Sequence, residues 1–421
     1  MTGAAGPDTP FPLEDRAAFE HPLTLDAAGQ AWLAATLAAP GTSWARGEAA
    51  VVLLDVDGVF AQEIILAGGE EPVEDLRLLG RLRPGPHRVR LRLHRGLSAP
   101  AARAVVVHTV RTGAVPDTDP AAPVWRHAPV LHYRALHSPL DSLTTDTPVV
   151  LFHRPVAGAD GRGIEYHVVF SHEDEGTDLT GLLARWGHTT DIEWVYRIVQ
   201  DGAGRTVREE FQGPEHRATP FRGGRALGGH PVLQVATLNG MVTDRVRCPF
   251  RAALAPALAQ PPDEPREGVQ HRYPWVYRAS ALEVVRQVPL AHEPSPEPAA
   301  PVDPRRYLFL HWKRVSGPPV ALEAAACVRG EWRSSGWGRP EMAFSGPDAE
   351  STAVRCGPGT AEADITGIAV RSVEPPEETV ELRLVRAFLL DGDYRPRPPL
   401  AAGARCRLTP AQPRAVAWER R

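Results

Sequence analysis

Apolar and polar residues alternate through much of this chain with a period of two, the spacing that puts side chains on opposite faces of a β-strand. The alternation predicts strands over residues 50–55, 59–66, 76–82, 89–93 and 103–109. Turn chemistry separates them. Asp57-Gly58 supplies the positive φ of a tight hairpin, and Pro84-Gly85-Pro86-His87 closes another. Regularly spaced short strands of this kind predict a small sandwich. Strand patterns return over 166–170, 191–198 and 230–236, then over 307–312, 320–328, 365–373 and 379–389. In the central region only residues 180–185 and 250–259 suggest helix. The expected fold class is mainly β, a multi-domain chain of antiparallel β-sandwich modules.

Proline-rich punctuation divides the pattern. Residues 114–123 and 292–301 read as linkers, the second a Pro/Ala/Glu stretch that proline keeps extended. The expected modules are an N-terminal sandwich over 1–117 with a loose leader over 1–20, a central sandwich over 124–290 and a C-terminal β-rich module over 305–421.

The most informative segment is Gly187-His188-Thr189-Thr190-Asp191-Ile192-Glu193-Trp194, which runs on as Val195-Tyr196-Arg197-Ile198. Strict alternation puts Ile192, Trp194, Tyr196 and Ile198 on a buried face and Asp191 and Glu193 on the other. Two carboxylates so close resist joint ionisation unless a cation, a shared proton or a basic partner intervenes. His188 is placed to supply a neutral nitrogen. Arg197, which alternation puts on the same face, offers an ordinary ion pair instead. Further polar clusters stand at strand ends: Ser171-His172-Glu173-Asp174-Glu175-Gly176, Gly213-Pro214-Glu215-His216 and Gly229-His230-Pro231.

In order and register these pieces resemble the necrosis-inducing cytolysin superfamily and its vacuolar protein sorting-associated relatives. Gly187, His188, Asp191 and Glu193 match the Gly-His-x-x-Asp-x-Glu heptad of that family. Asp174 or Glu173 falls at its upstream acid, His216 at its turn histidine and His230-Pro231 at the opening of its last strand. The resemblance covers roughly residues 148–247. It implies a central β-sandwich holding a divalent cation through Asp174 or Glu173, His188, Asp191 and Glu193, with His216 near. Thr190 stands where the cytolysins carry a second histidine, and Ile192 where they carry tryptophan. Membrane-damaging activity is therefore not part of the expectation.

Composition narrows the function classes. Hydrophobic residues make up 43%, enough for packed cores. The formal net charge is −4, and no basic run interleaves with aromatics, which argues against nucleic-acid binding. No apolar run is long enough to span a bilayer. The N-terminus lacks a basic region followed by an apolar core, which predicts a cytoplasmic protein, or a secreted one if the start lies elsewhere. Cys248, Cys327, Cys356 and Cys406 show no C-x-x-C spacing.

Two rival motifs fall away. Val51-Val52-Leu53-Leu54-Asp55-Val56-Asp57-Gly58 resembles the nucleophile strand of haloacid-dehalogenase-like phosphatases, but strand, not helix, follows it. Asp55-Val56-Asp57-Gly58 opens like a calcium-binding loop, yet its twelfth position is Leu66. Trp332 and Trp337 frame the Gly/Ser-rich run Arg333-Ser334-Ser335-Gly336, a candidate aromatic surface for stacking on sugars.

The leading expectation is cation-dependent binding of a polar ligand, a glycan or a lipid headgroup. Mostly oxygen ligands favour Mg²⁺, Ca²⁺ or Mn²⁺, with Zn²⁺ admitted by the imidazole. A metal-dependent hydrolase using the same His/Asp/Glu cluster is the first alternative, and a purely structural ion is the second. No distinct nucleophile is visible, which ranks catalysis below binding.

Overall fold

A computed structural model describes residues 10–14, 17–138, 141–158, 161–174, 176–292, 300–345 and 349–420. Leader residues 1–9 and linker residues 293–299 lie outside the described residues. The chain forms two compact units, Met1–Asp174 with Asp191–Ala259, and Glu175–Thr190 with Gln260–Arg421.

The first unit opens with β1 (Phe11–Leu13), β2 (Ala18–Leu25), β3 (Gly29–Ala38), β4 (Val51–Val56), β5 (Val59–Ile65), β6 (Val73–Leu82), β7 (Gly85–Leu93) and β8 (Val105–Pro116). They form a sandwich of two sheets ordered β1-β8-β3-β6 and β2-β7-β4-β5. Leu33, Leu37 and Val107 from one sheet meet Val52, Leu54, Ile64 and Leu91 from the other in one core. Each such side chain contributes about 1.5–3 kcal/mol on burial. Asp57 and Gly58 take φ of 53° and 80°, the hairpin geometry expected for that pair. The Asp57 carboxylate accepts the Arg88 amide at 2.8 Å and sits 2.7 Å from His87 Nδ1, a turn-locking role.

Two expectations change here. Within the stretch expected as a loose leader over residues 1–20, the described residues hold β1 and the start of β2. The 114–123 linker is also shorter than expected, since β8 runs to Pro116 and α1 (Ala122–Arg126) follows.

The unit continues with β9 (Val130–His132), β10 (Pro148–Gly158), β11 (Gly161–Phe170), β12 (Asp191–Gln200), β13 (Thr206–Gly213), β14 (Arg217–Pro220), β15 (Arg225–Ala226), β16 (His230–Val235), β17 (Val242–Thr243), β18 (Arg251–Ala252) and β19 (Leu258–Ala259). One sheet runs β14-β13-β12-β11-β10-β19, and a second runs β15-β16-β9-β18 with β17 beside β16. Pairing is antiparallel except for β10 with β19 and β9 with β16. Tyr166, Val168, Phe170, Tyr196 and Ile198 from the first sheet pack on Leu131, Leu233 and Val235 from the second.

The helix expected over 250–259 is not formed. Its backbone is claimed by the first sandwich: Leu78 N donates to Ala253 O at 2.8 Å, and Ala253 N donates to Gln62 Oε1 at 2.8 Å. Trp32, Ala34 and Leu78 join the central core as well, so the two sandwiches make one unit.

The second unit holds α2 (Leu179–Trp186), α3 (Trp275–Gln287), β20 (Tyr307–Ser316), β21 (Leu322–Val328), β22 (Glu331–Ser334), β23 (Ala349–Arg355), β24 (Ile365–Ser372), β25 (Val380–Phe388), β26 (Arg405–Leu408) and β27 (Arg414–Glu419). Its sandwich pairs the sheets β23-β20-β25-β26 and β22-β21-β24-β27. Leu310, Trp312, Ala324, Ala326, Ile368, Val370, Leu382 and Leu384 fill the space between them. Leu179 and Leu183 of α2 and Tyr277 and Val284 of α3 pack with Phe309 and Phe388 on the outside of the first of these sheets.

Counted from β2 and from β20, the terminal sandwiches share a pairing: first strand with sixth, second with fifth. The chain is thus mainly β and built of several sandwiches. Among the described residues no helix is long and apolar enough to cross a membrane.

Candidate functional site

The residues nominated as cation ligands fall in both units. His188 belongs to the second, and Glu173, Asp174, Asp191, Glu193 and His216 to the first. His188 follows α2 and is buried. Its Nδ1–H donates to Thr190 O at 2.6 Å, and its Nε2 lies 3.8 Å from Glu267 Oε1. Asp174 is held by a cation already in the protein. Its Oδ2 accepts Arg134 Nη2 at 2.5 Å, and its Oδ1 accepts Thr145 Oγ1 at 2.6 Å. The same buried guanidinium serves Asp146 at 2.7 Å. Glu173 is half-buried.

A β-bulge reassigns the faces of β12. Tyr196 stands opposite Tyr166 and Trp194 opposite His167, so Val195 is an extra residue with no partner on β11. Beyond the bulge the alternation is reversed. Asp191 and Glu193 stand opposite Phe170 and Val168 and therefore share the face of the central core, not the opposite one. Arg197 is turned away from them. It pairs instead with Glu165 and with Glu210, the latter at 2.8 Å, and stacks on Trp194 at 4.4 Å. The ion pair that strict alternation suggested between Arg197 and the heptad carboxylates is therefore not made.

The structure does link two nominated residues. Gln212 Nε2 donates to Glu193 Oε2 at 2.6 Å and to His216 Nδ1 at 2.9 Å. Asp191, 3% exposed, ends the same face, where a Cβ added to Gly240 would stand 2.5 Å from its Oδ2. Among the described residues, no group of three or more His, Cys, Asp or Glu side chains is arranged to hold a metal ion.

A different surface has the form of a binding site. On the outer face of the sheet β22-β21-β24-β27, side chains stand in cross-strand rows. Trp332, Cys327, Gly367 and Glu419 make one row; Ser334, Ala325, Ala369 and Val416 the next; Glu323, Arg371 and Arg414 the third. The inward neighbours Ala324, Ala326, Ile368 and Val370 belong to the sandwich core, which fixes this row set outward. Small residues in the middle leave a trough of about 260 Å³ lined by Glu323, Ala325, Trp332, Ala369, Arg371 and Arg414.

Trp332 is 43% exposed. The edge of its indole rests over Gly367, where an added Cβ would lie 3.0 Å from Cη2. Any larger side chain at 367 would lift the ring. At the other end, Glu323 accepts Arg371 Nε at 2.7 Å and also Arg371 Nη2, and it takes the Gly338 amide at 3.2 Å. The Arg414 guanidinium lies 5.1 Å from the Trp332 ring centre. The Trp332–Trp337 motif pointed to this region, and Trp332 is in place. Trp337 sits instead in the turn after β22, with φ of 51°. Arg371 and Arg414 gave no such signal, because the register that joins them links segments far apart in sequence.

No protein-family model and no curated protein matches the chain. Solved structures with partial likeness include the CBM36-1 domain of a multidomain xylanase from the hindgut metagenome of Trinervitermes trinervoides (14% identity, 27% of this chain and 87% of that one, TM-score 0.20). Another is a family 35 carbohydrate binding module from Clostridium thermocellum (12% identity, 23% and 70%, TM-score 0.18). A third is a ruminal GH26 endo-beta-1,4-mannanase (14% identity, 29% and 27%, TM-score 0.18). None of these three is a necrosis-inducing or vacuolar sorting protein.

Proposed function

We propose that the protein binds a glycan without transforming it, in the trough on the outer face of β22-β21-β24-β27. The observation that carries this reading is Trp332, an indole left open to solvent with its edge over Gly367 and the small residues Ala325 and Ala369 lining the trough beside it. A pyranose ring has an apolar C–H face and a rim of hydroxyls. An indole offers the first a broad apolar surface at small entropic cost, and Glu323, Ser334 and the arginines supply partners for the second. Among the described residues one carboxylate, Glu323, lines the trough, and it is committed to Arg371. Glycoside hydrolysis ordinarily needs two carboxyl groups across the scissile bond, which favours binding over catalysis.

The test is a glycan array followed by calorimetric titration of wild type and Trp332→Ala. Binding of at least one oligosaccharide by wild type, lost in the variant while the fold persists, supports the reading. No binding on the array, or equal binding by the variant, overturns it.

The divalent cation is a separate reading, favoured by the Gln212 bridge between Glu193 and His216 with Asp191 on the same face. Elemental analysis of wild type beside Asp191→Ala tests it. Metal in the first and not the second supports it, and near-zero metal in both removes it.

A further inference from the structure

We infer that the trough selects acidic glycans, with Arg414 as the residue that reads the anionic group; the inference rests on the glycan-binding reading above. Its basis is a charge imbalance built into one row of the sheet. Glu323, Arg371 and Arg414 stand side by side on β21, β24 and β27, each directly opposite the next. Like charges directly opposite on neighbouring strands are unfavourable. A single carboxylate offsets the pair, and it is spent on one member: Glu323 takes Nε and Nη2 of Arg371. Among the described residues no carboxylate pairs with Arg414, whose charge meets only the face of Trp332, 5.1 Å away. The row therefore presents one uncompensated positive charge beside the aromatic platform.

A guanidinium matches a carboxylate or sulfate with two parallel N–H···O bonds, and charge-assisted bonds of this kind are stronger than neutral ones. A sugar ring lying along Trp332 and carrying such a group toward Arg414 satisfies both features of the trough. Glu323 is a positioning residue in this account. It holds Arg371 in place, and its own charge discourages an anion from settling at the Arg371 end.

The experiment compares an oligogalacturonate with its methyl ester, and a sulfated oligosaccharide with its desulfated form, by titration at low and moderate salt. Wild type is expected to prefer the acid over the ester by about tenfold, with the preference shrinking as salt rises. Arg414→Gln is expected to bring the acid-to-ester ratio close to one, whereas Trp332→Ala weakens both ligands together. The arm that responds to Arg414→Gln names the anionic group as carboxylate or sulfate. Equal affinity of wild type for charged and uncharged forms, or a preference that survives Arg414→Gln, overturns the inference while leaving glycan binding intact. If neither form of either ligand binds, the glycan reading itself fails and this inference falls with it.

Discussion

Glu165 and Arg197 stand directly opposite each other on β11 and β12, and the fully buried carboxylate accepts both Nε and Nη2 of the guanidinium. Arg154 and His167 reach the other oxygen, at 2.6 and 2.8 Å. Burial opposes ionisation of Glu165. The hydrogen bond and charge of His167 and the charges of Arg154 and Arg197 outweigh it and hold the pKa at about 2. A depressed carboxylate pKa contributes stability that is present above the unfolded value and lost as pH falls toward the folded one. Glu165→Gln is therefore expected to cost about 3 kcal/mol at pH 7, with the gap closing between roughly pH 4.5 and pH 2. Denaturant titrations of both proteins at pH 7 and pH 3 check this. An unchanged gap at pH 3 would show that charge is not what the site contributes.

The same strand shows what alternation can and cannot disclose. Strands with one wetter face were legible, as in β7, where Val89, Leu91 and Leu93 are buried and Arg90 and Arg92 between them are partly exposed. The β12 bulge was not. Val195 is apolar like its neighbours, so nothing in the residue pattern marks it as the one without a partner. Strict alternation therefore puts Asp191 and Glu193 on the wrong face. β3 was missed because both its sides are covered, Leu33 and Ala35 by one core and Trp32 and Ala34 by another. A run buried on both sides does not alternate. The helix α3 escaped for a related reason, since Val276, Tyr277, Ala279, Ser280, Ala281, Glu283 and Val284 are all buried and leave no single apolar stripe. Trp332 was legible as a candidate, but the charged row beside it depends on register alone.

Glu63 titrates in the opposite sense. Burial pushes its pKa up to about 7, and the backbone N–H and charge of Arg251 offset only part of the effect. A raised carboxylate pKa gives stability that is fully present below the unfolded value and lost as pH rises through the folded one. Glu63→Gln keeps an oxygen for the Arg251 amide, which donates to Glu63 Oε2 at 2.9 Å. The variant is expected to match wild type near pH 4 and to exceed it by on the order of 1–3 kcal/mol at pH 8. Thermal unfolding across that range is the measurement. A variant less stable than wild type at pH 8 would contradict the assignment.

His271 and His311 bring a complementary sensitivity to acid. Their rings pack 5.4 Å apart, both against Phe388. Burial lowers His271 to about 3, helped by the Arg386 charge. Burial, with His271, Arg386 and His188 nearby, also holds His311 well below the ordinary imidazole range. An unfolded chain binds protons at both from about pH 6.5 downward, whereas the folded one does not, so stability falls as pH drops below that value. His271→Phe fills a similar volume beside Phe388 and Tyr277 and cannot titrate. It is expected to flatten the loss of melting temperature between pH 6.5 and pH 4. Parallel curves for variant and wild type would show that His271 does not drive the acid response.

Gly187, the first residue of the heptad, has a role that needs neither ligand nor cation. It closes α2 with φ of 60°, its N–H donating to Leu183 O at 3.1 Å. The helix end is pressed onto β23, where Thr352 Oγ1 donates to Ala184 O at 2.7 Å. A Cβ at 187 would stand 2.5 Å from Thr352 N and 2.8 Å from Thr352 C, atoms of a paired strand that cannot swing aside. Gly187→Ala is expected to cost about 2 kcal/mol or more, from the left-handed conformation and the backbone clash together. Gly187→Asn separates the two terms, because asparagine tolerates positive φ yet carries the same Cβ. If close approach to Thr352 dominates, both variants lose melting temperature alike. A near-normal Gly187→Asn would assign the requirement to backbone conformation alone.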